Sequence, residues 1–241
     1  VIGGPTVGNL VDVTQGGPGL VAVGTSRDDN GRTTSAVVWT ADNEDSWTQV
    51  PHDEAIFGDS MMTGVFAGDR GLLAVGATEG QPAPTAWTSP DGLSWTRVFL
   101  DEALFDDVNY HDTPVAVVAG GPGWVAVSGT TDGGPAAWTS PDGATWTRLP
   151  DDAFVGGPTD RLVAVTATPS QLLAVGEGFS LWTSTDGATW TNIPVEIAEQ
   201  AEGEPRIAAV AVHDTKVVVV GEVRGGSVES RPAVWNATLP D

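Results

Sequence analysis

The chain has 241 residues, of which 40% are hydrophobic, enough for a packed core and too many for wholesale disorder. Its 32 acidic and 10 basic residues give a net charge of −22, which repels phosphate backbones and anionic lipid and excludes direct nucleic-acid binding. Cysteine is absent, which removes disulfides, thiolate catalysis and Cys-ligated zinc, and no apolar run reaches the roughly 18 residues of a membrane helix.

In chain order one pattern recurs five times. The strings "GPGLVAVG" (17–24), "DRGLLAVG" (69–76), "GPGWVAVS" (121–128), "PSQLLAVG" (169–176) and "DTKVVVVG" (214–221) start 52, 52, 48 and 45 residues apart. Each is followed by a strand-like segment ending in Trp: Trp39, Trp87, Trp138, Trp182 and Trp235. In the first four units a second Trp follows 8 residues later, at Trp47, Trp95, Trp146 and Trp190. Nine of the ten tryptophans therefore sit at repeat positions, and Trp124 falls outside that register. Such a period, with short β-rich segments, is the signature of a propeller or a related array.

Each unit reads as four strands. In the third and fourth units these are represented by "RLVAVTA" (161–167), "LLAVG" (172–176), "AAWTS" (136–140) and "TWTRL" (145–149), separated by turns such as "GGPG" and "SPDG". Short helices are expected only at "DEAIF" (53–57) and "DEALF" (101–105). The units run roughly over 5–58, 59–108, 109–158, 159–203 and 204–241, all within one domain spanning 1–241. The last ends at "AVWNATLPD" (233–241), so its blade is expected to have three strands or to borrow a piece from 1–4.

In "SPDG" (140–143), Pro141 presets φ for a type I turn and Gly143 takes the left-handed position after it. A three-residue hairpin loop of this kind pairs Ser140 with Ala144, Thr139 with Thr145 and Trp138 with Trp146. The two indoles are then expected to face each other across the hairpin.

The turns at Asp91, Gly92 and Trp95, at Asp142, Gly143 and Trp146, and at Asp186, Gly187 and Trp190 resemble the Asp-box, or BNR, repeat of sialidase-like β-propellers. The usual box has one more residue between Asp and Trp. The whole unit is also similar to secreted bacterial propellers. The resemblance implies an all-β fold of five four-stranded antiparallel blades. It implies a structural role for the turns and says little about chemistry.

Candidate sites lie in the connectors leading from each fourth strand to the next unit. "PHDEAIFGD" (51–59), "LDEALFDDVNYHD" (100–112) and "PDDAFVGGPTD" (150–160) are acidic. Asp53, Asp101 and Asp151 suit Ca²⁺ as hard oxygen ligands, or they are solvated residues that cap short helical turns. Asp106, Asp107, Tyr110 and His111 form the connector that departs most from the repeat, and they are candidate ligand contacts. Trp124 is either packed between blades or exposed as a stacking platform.

Catalytic signatures are scarce. The first strands "VAVVA" (115–119), "LVAVT" (162–166) and "IAAVAV" (207–212) carry no carboxylate, and Tyr110 is the one tyrosine. The expected function is a non-catalytic binding module for a carbohydrate or protein partner. A glycoside hydrolase or sialidase-like enzyme is the alternative, and a scaffold within a larger secreted protein is a third reading. The chain starts at Val1 without Met, which reads as a trimmed product at the bacterial cell surface or outside it.

Overall fold

The computed structural model describes residues 8–27, 33–43, 46–78, 84–105, 116–157, 160–194, 204–225 and 230–239. They form five sheets in sequence order, the arrangement of a five-bladed β-propeller. Blade 1 is β1 (Gly8–Gly16), β2 (Gly19–Arg27), β3 (Thr33–Ala41) and β4 (Trp47–Gln49). The helix α1 (Glu54–Phe57) leads to blade 2, made of β5 (Ser60–Gly68), β6 (Gly71–Thr78), β7 (Pro84–Ser89) and β8 (Thr96–Phe99). A 3-10 turn at Glu102–Phe105 precedes blade 3, which holds β9 (Ala116–Gly120), β10 (Gly123–Gly129), β11 (Pro135–Ser140) and β12 (Thr147–Arg148).

Another 3-10 turn (Asp151–Ala153) and the short β13 (Phe154–Val155) lead into blade 4. That blade holds β14 (Leu162–Ala167), β15 (Leu172–Gly176), β16 (Leu181–Ser184) and β17 (Trp190–Ile193). Blade 5 is β18 (Glu204–His213), β19 (Lys216–Arg224) and β20 (Ser230–Thr238).

Two blades depart from four antiparallel strands. β13 adds a fifth strand to blade 4, pairing parallel with β17. Among the described residues blade 5 has three strands. By contacts the chain divides into two compact units, 1–106 with 141–146, and 107–140 with 147–241.

The second strand of each blade explains the core. In the first unit, Val21 and Val23 of "LVAVG" point to one face and Leu20 and Ala22 to the other, because side chains alternate along a strand. In blades 1, 3 and 4 the face carrying the second and fourth residues packs on the next blade's first-and-third face. Val21 and Val23 share a buried cluster with Leu72, Ala74 and Trp87. Val125 and Val127 share one with Leu172, Ala174 and Trp182, and Leu173 and Val175 with Val217, Val219 and Trp235. Both faces need apolar side chains, which is why these strands read as continuous hydrophobic runs rather than as alternating ones.

First strands carry a device that the repeat did not reveal. Their register slips by one residue between Leu10 and Asp12, Met62 and Gly64, Leu162 and Ala164, and Ile207 and Ala209. One extra residue in the same place in four blades is a recurrent β-bulge, which sharpens the local twist.

The outer hairpins correct the expected register. Trp138 pairs with Arg148 and Thr139 with Thr147, so the strands are offset by two residues from the Trp138–Trp146 pairing. Blades 2 and 4 do the same, with Trp87 opposite Arg97 and Trp182 opposite Asn192. The Asp side chain is the reason. Asp91 Oδ1 accepts from the N–H groups of Leu93 (2.9 Å) and Ser94 (2.7 Å), and Asp186 Oδ1 does so from Ala188 (2.8 Å) and Thr189 (2.9 Å). These bonds hold the loop open beyond a backbone-only turn.

In blades 2 and 3 the second Trp then closes the loop instead of facing the first. Trp95 Nε1 donates to the Gly92 carbonyl and Trp146 Nε1 to that of Gly143, each at 2.9 Å. Across the hairpin it is Arg97 that lies over Trp87, 5.8 Å from the ring centroid. Gly92, Gly143 and Gly187 do occupy the left-handed region, with φ of 76°, 77° and 74°.

The turns of blades 2 and 4 seat on the preceding blade. A Cβ on Gly92 would lie 3.0 Å from Val21 Cγ2 and 3.3 Å from Pro18 Cδ. A Cβ on Gly187 would lie 2.9 Å from Val125 Cγ2 and 3.2 Å from Pro122 Cδ. In blades 2 and 4 the turn is the contact by which one blade meets the "GPG" corner of the blade before it.

Candidate functional site

The connectors place the predicted carboxylates at the starts of short helical turns that follow the fourth strands, with Asp53 and Asp101 just before the turn and Asp151 its first residue. Asp53 is the N-cap of α1, where its Oδ1 accepts from the Ala55 N–H at 2.9 Å. Asp101 Oδ1 accepts from the Ala103 N–H at 3.0 Å, and its carbonyl accepts from Leu104 N. Asp151 opens the third helical turn and lies 3.7 Å from Arg148 Nη2. The pattern Asp-x-Ala followed by Phe is a local folding instruction. At Asp53 and Asp101 the Asp side chain satisfies an end N–H, and the Phe anchors the turn, fully for Phe57 and Phe105 and partly for Phe154.

Asp53 and Asp101 each make the cap bond, and Asp151 does not. Among the described residues no group of three or more His, Asp or Glu gathers so as to hold a metal ion. The other candidate contacts, Asp106, Asp107, Tyr110 and His111, lie outside the described residues. His52 Nε2 lies 2.9 Å from Glu54 Oε2, and His213 Nε2 lies 3.8 Å from Asp214 Oδ2. Both are local pairs on exposed side chains.

Side chains around α1 also tie connector to blade. Trp87 Nε1 donates to the Ile56 carbonyl at 2.7 Å, and Arg97 Nη1 donates to the Gly58 carbonyl at 2.9 Å. Arg97, which lies on a fourth strand, thus holds the connector backbone. Trp124 is buried, which settles its two readings in favour of packing.

Sequence reasoning missed two polar anchors. Asp160 accepts from the Gly178 N–H (2.7 Å) and the Ser180 hydroxyl (2.6 Å), and Ser180 Oγ accepts in turn from Trp182 Nε1 (3.0 Å). The signal available was the unusually short stretch between second and third strands in that unit, "GEGFS". Asp132 accepts from the Thr130 hydroxyl, and that bond holds its carboxyl below the usual range. Asp91 is held low by the N–H groups of Ser94 and Leu93, and Asp186 by those of Thr189 and Ala188. These low carboxylates are engaged with their own loops, as turn-makers are and as general acids are not.

No helix among the described residues is long and apolar enough to cross a membrane. No protein-family model matches the chain, and no curated protein matches it. Its fold is found among solved structures. YCF48 from Cyanidioschyzon merolae aligns over 97% of this chain and 73% of its own length, at 16% identity and a TM-score of 0.50. The GH43_1 enzyme from Xanthomonas citri complexed with xylotriose aligns over 99% of this chain and 89% of its own, at 10% identity and a TM-score of 0.47. A putative glycoside hydrolase from Parabacteroides distasonis aligns over 96% and 87%, at 11% identity and a TM-score of 0.47. At such identities the likeness is one of fold, and a propeller hosts many unrelated functions.

Proposed function

We propose that the protein is a non-catalytic binding module, displayed outside the cell, whose ligand is a protein. The observation that carries this reading is the disposition of the tryptophans. All ten are buried or half-buried, including Trp124. The large apolar side chains left exposed are aliphatic, among them Leu93, Val155 and Val234, with Phe99 the aromatic exception. A sugar-binding surface built on open aromatic platforms has little to work with here, whereas aliphatic patches amid polar residues suit a protein partner.

The connector residues Asp106, Asp107, Tyr110 and His111 are the ligand contacts in this reading, beside the capped carboxylates Asp53, Asp101 and Asp151. The three turns at Asp91, Asp142 and Asp186 are in this reading Asp-box turns that build blades rather than sites. Their self-contained hydrogen bonding supports that role.

A panel of aryl glycosides and xylo-oligosaccharides incubated with the protein tests the absence of catalysis. The expected result is no turnover above that of a Tyr110→Phe, His111→Ala variant. Turnover that those substitutions abolish would instead establish a hydrolase.

A further inference from the structure

In four blades a fourth strand covers the outer edge of the third, always in one register. The carbonyl just before the repeat Trp faces that strand: Val38 accepts from the Val50 N–H and Ala137 from the Leu149 N–H, each at 2.9 Å. Val98 and Ile193 lie opposite the same position in blades 2 and 4. Gln49, Arg97, Arg148 and Asn192 stand opposite the Trp itself. Thr48, Thr96, Thr147 and Thr191 stand opposite the Thr after it. One triplet therefore makes the contact: Thr, then Gln, Arg or Asn, then Val, Leu or Ile.

Blade 5 presents the same edge without that strand. Among the described residues β20 pairs with β19 alone. The Leu239 N–H donates to the Thr215 carbonyl at 2.7 Å, and the ladder runs without a bulge from there to Ser230. Backbone groups alternate between the two edges of an antiparallel strand. Trp235 and Ala237 therefore face β19, and the N–H and C=O groups of Val234 and Asn236 face outward. Pro232 also falls at an outward position, where its missing N–H takes nothing from the pairing with β19. Pro84 holds the same place in blade 2, and pairing with β8 begins there at the next residue, Thr85. The corresponding stretch of β20 is 233–236.

Over the described residues the chain does not turn back along this edge. In blades 2, 3 and 4 the third strand ends at Ser89, Ser140 and Ser184 and the Asp turn follows. Blade 5 has Ala237 there and stays extended, with Thr238 paired to Lys216. The triplet occurs four times in the sequence, and each copy already serves its own blade. All three strands of blade 5 lie within one compact unit, so the edge is defined by that unit alone.

We propose, resting on the reading of the ligand as a protein, that the partner supplies the fourth strand of blade 5 by laying an extended segment antiparallel along β20. That segment carries an aliphatic residue opposite Val234, a Gln, Arg or Asn opposite Trp235, and a Thr opposite Asn236. Backbone hydrogen bonds hold it, and the triplet sets its register.

Residue-resolved amide hydrogen exchange of the full chain tests this, with a blocked peptide Ser-Trp-Thr-Arg-Val-Phe, the sequence of residues 94–99, as the probe. In the free protein the Trp235 and Ala237 amides are expected to be protected, and those of Val234 and Asn236 to exchange freely. Peptide at about ten times its Kd is expected to slow exchange at Val234 and Asn236 by about tenfold. N-methylation of the peptide Val, whose N–H points at the Val234 carbonyl, is expected to weaken binding by about tenfold. N-methylation of the peptide Arg, whose N–H points away from β20, is expected to change it by less than about twofold. Val234 and Asn236 amides already protected in the free chain overturn the proposal and place the covering strand within the chain. So does a peptide that leaves them exchanging freely, or an equal loss from both methylations. Those results would leave a protein ligand at the connectors standing. Glycan binding would overturn the protein reading instead, and the peptide result would still decide whether the edge takes a strand.

Discussion

Gly92→Ala probes the contact by which the hairpin turn of blade 2 seats on blade 1. Two penalties arise there. The backbone is left-handed, with φ of 76°, which costs a residue carrying a Cβ about 1–2 kcal/mol. The new methyl would also sit 3.0 Å from Val21 Cγ2, 3.3 Å from Leu72 Cδ1 and 3.3 Å from Pro18 Cδ. All three belong to packed sheet or to a rigid corner, so the overpacking adds about 1–3 kcal/mol. Gly156 separates the two terms, because its φ is 82° and nothing lies within 4 Å of its Cβ position. Gly156→Ala pays the strain alone.

Urea denaturation followed by tryptophan fluorescence measures both variants against the wild type. Gly92→Ala is expected to lose about 2–5 kcal/mol and Gly156→Ala about 1–2 kcal/mol. In melting temperature the gap is about 2–4 °C for each kcal/mol of difference. Equal losses would refute the reasoning, because they would mean that the turn does not seat against blade 1.

Three further outcomes follow from the same geometry. Trp95→Phe is expected to destabilise more than Trp190→Phe, by about 2 kcal/mol in paired denaturation curves. Trp95 gives up its bond to Gly92, while the buried Trp190 Nε1 has no partner to lose. Arg97→Lys is expected to cost about 1–2 kcal/mol, since an ammonium cannot lie flat over Trp87 and Phe99 while donating to the Gly58 carbonyl. Asp91 and Asp186 are held below their ordinary range, so their contribution is complete above about pH 4 and is lost as pH falls through their lowered folded values. Asp91→Asn with Asp186→Asn is therefore expected to flatten the acid limb of a melting-temperature profile, and an unchanged limb would show that these carboxylates do not carry it.

The blade count was legible because a propeller repeats one unit, and Trp and Gly at fixed spacing mark each copy. "LLAVG" (172–176) coincides with β15, and "DEAIF" with α1 and its Asp53 cap. The hairpin register was not legible. A backbone-only turn predicts Trp138 opposite Trp146, and the side chain of the loop Asp lengthens the loop and brings Arg148 opposite instead. The fifth strand of blade 4 was hidden for a different reason. Phe154 and Val155 sit inside an acidic connector, and their pairing with Trp190 and Thr191 is a long-range choice that no local pattern states. Stacking of Phe154 on Trp190 at 6.3 Å supports it. The candidate site was legible only as composition. The string of Asp residues suits both hard ligands and caps, and what composition did not state is that Asp53 and Asp101 each accept from the N–H two residues on.

The central claim is that this propeller binds a protein and neither binds nor cleaves sugars. A glycan-array screen of the full chain, run in calcium and again in EDTA, addresses it most directly. The account predicts no reproducible binding in either condition. Reproducible glycan binding would contradict it and establish a lectin, and loss of that binding in EDTA would return Asp53, Asp101 and Asp151 to the role of calcium ligands.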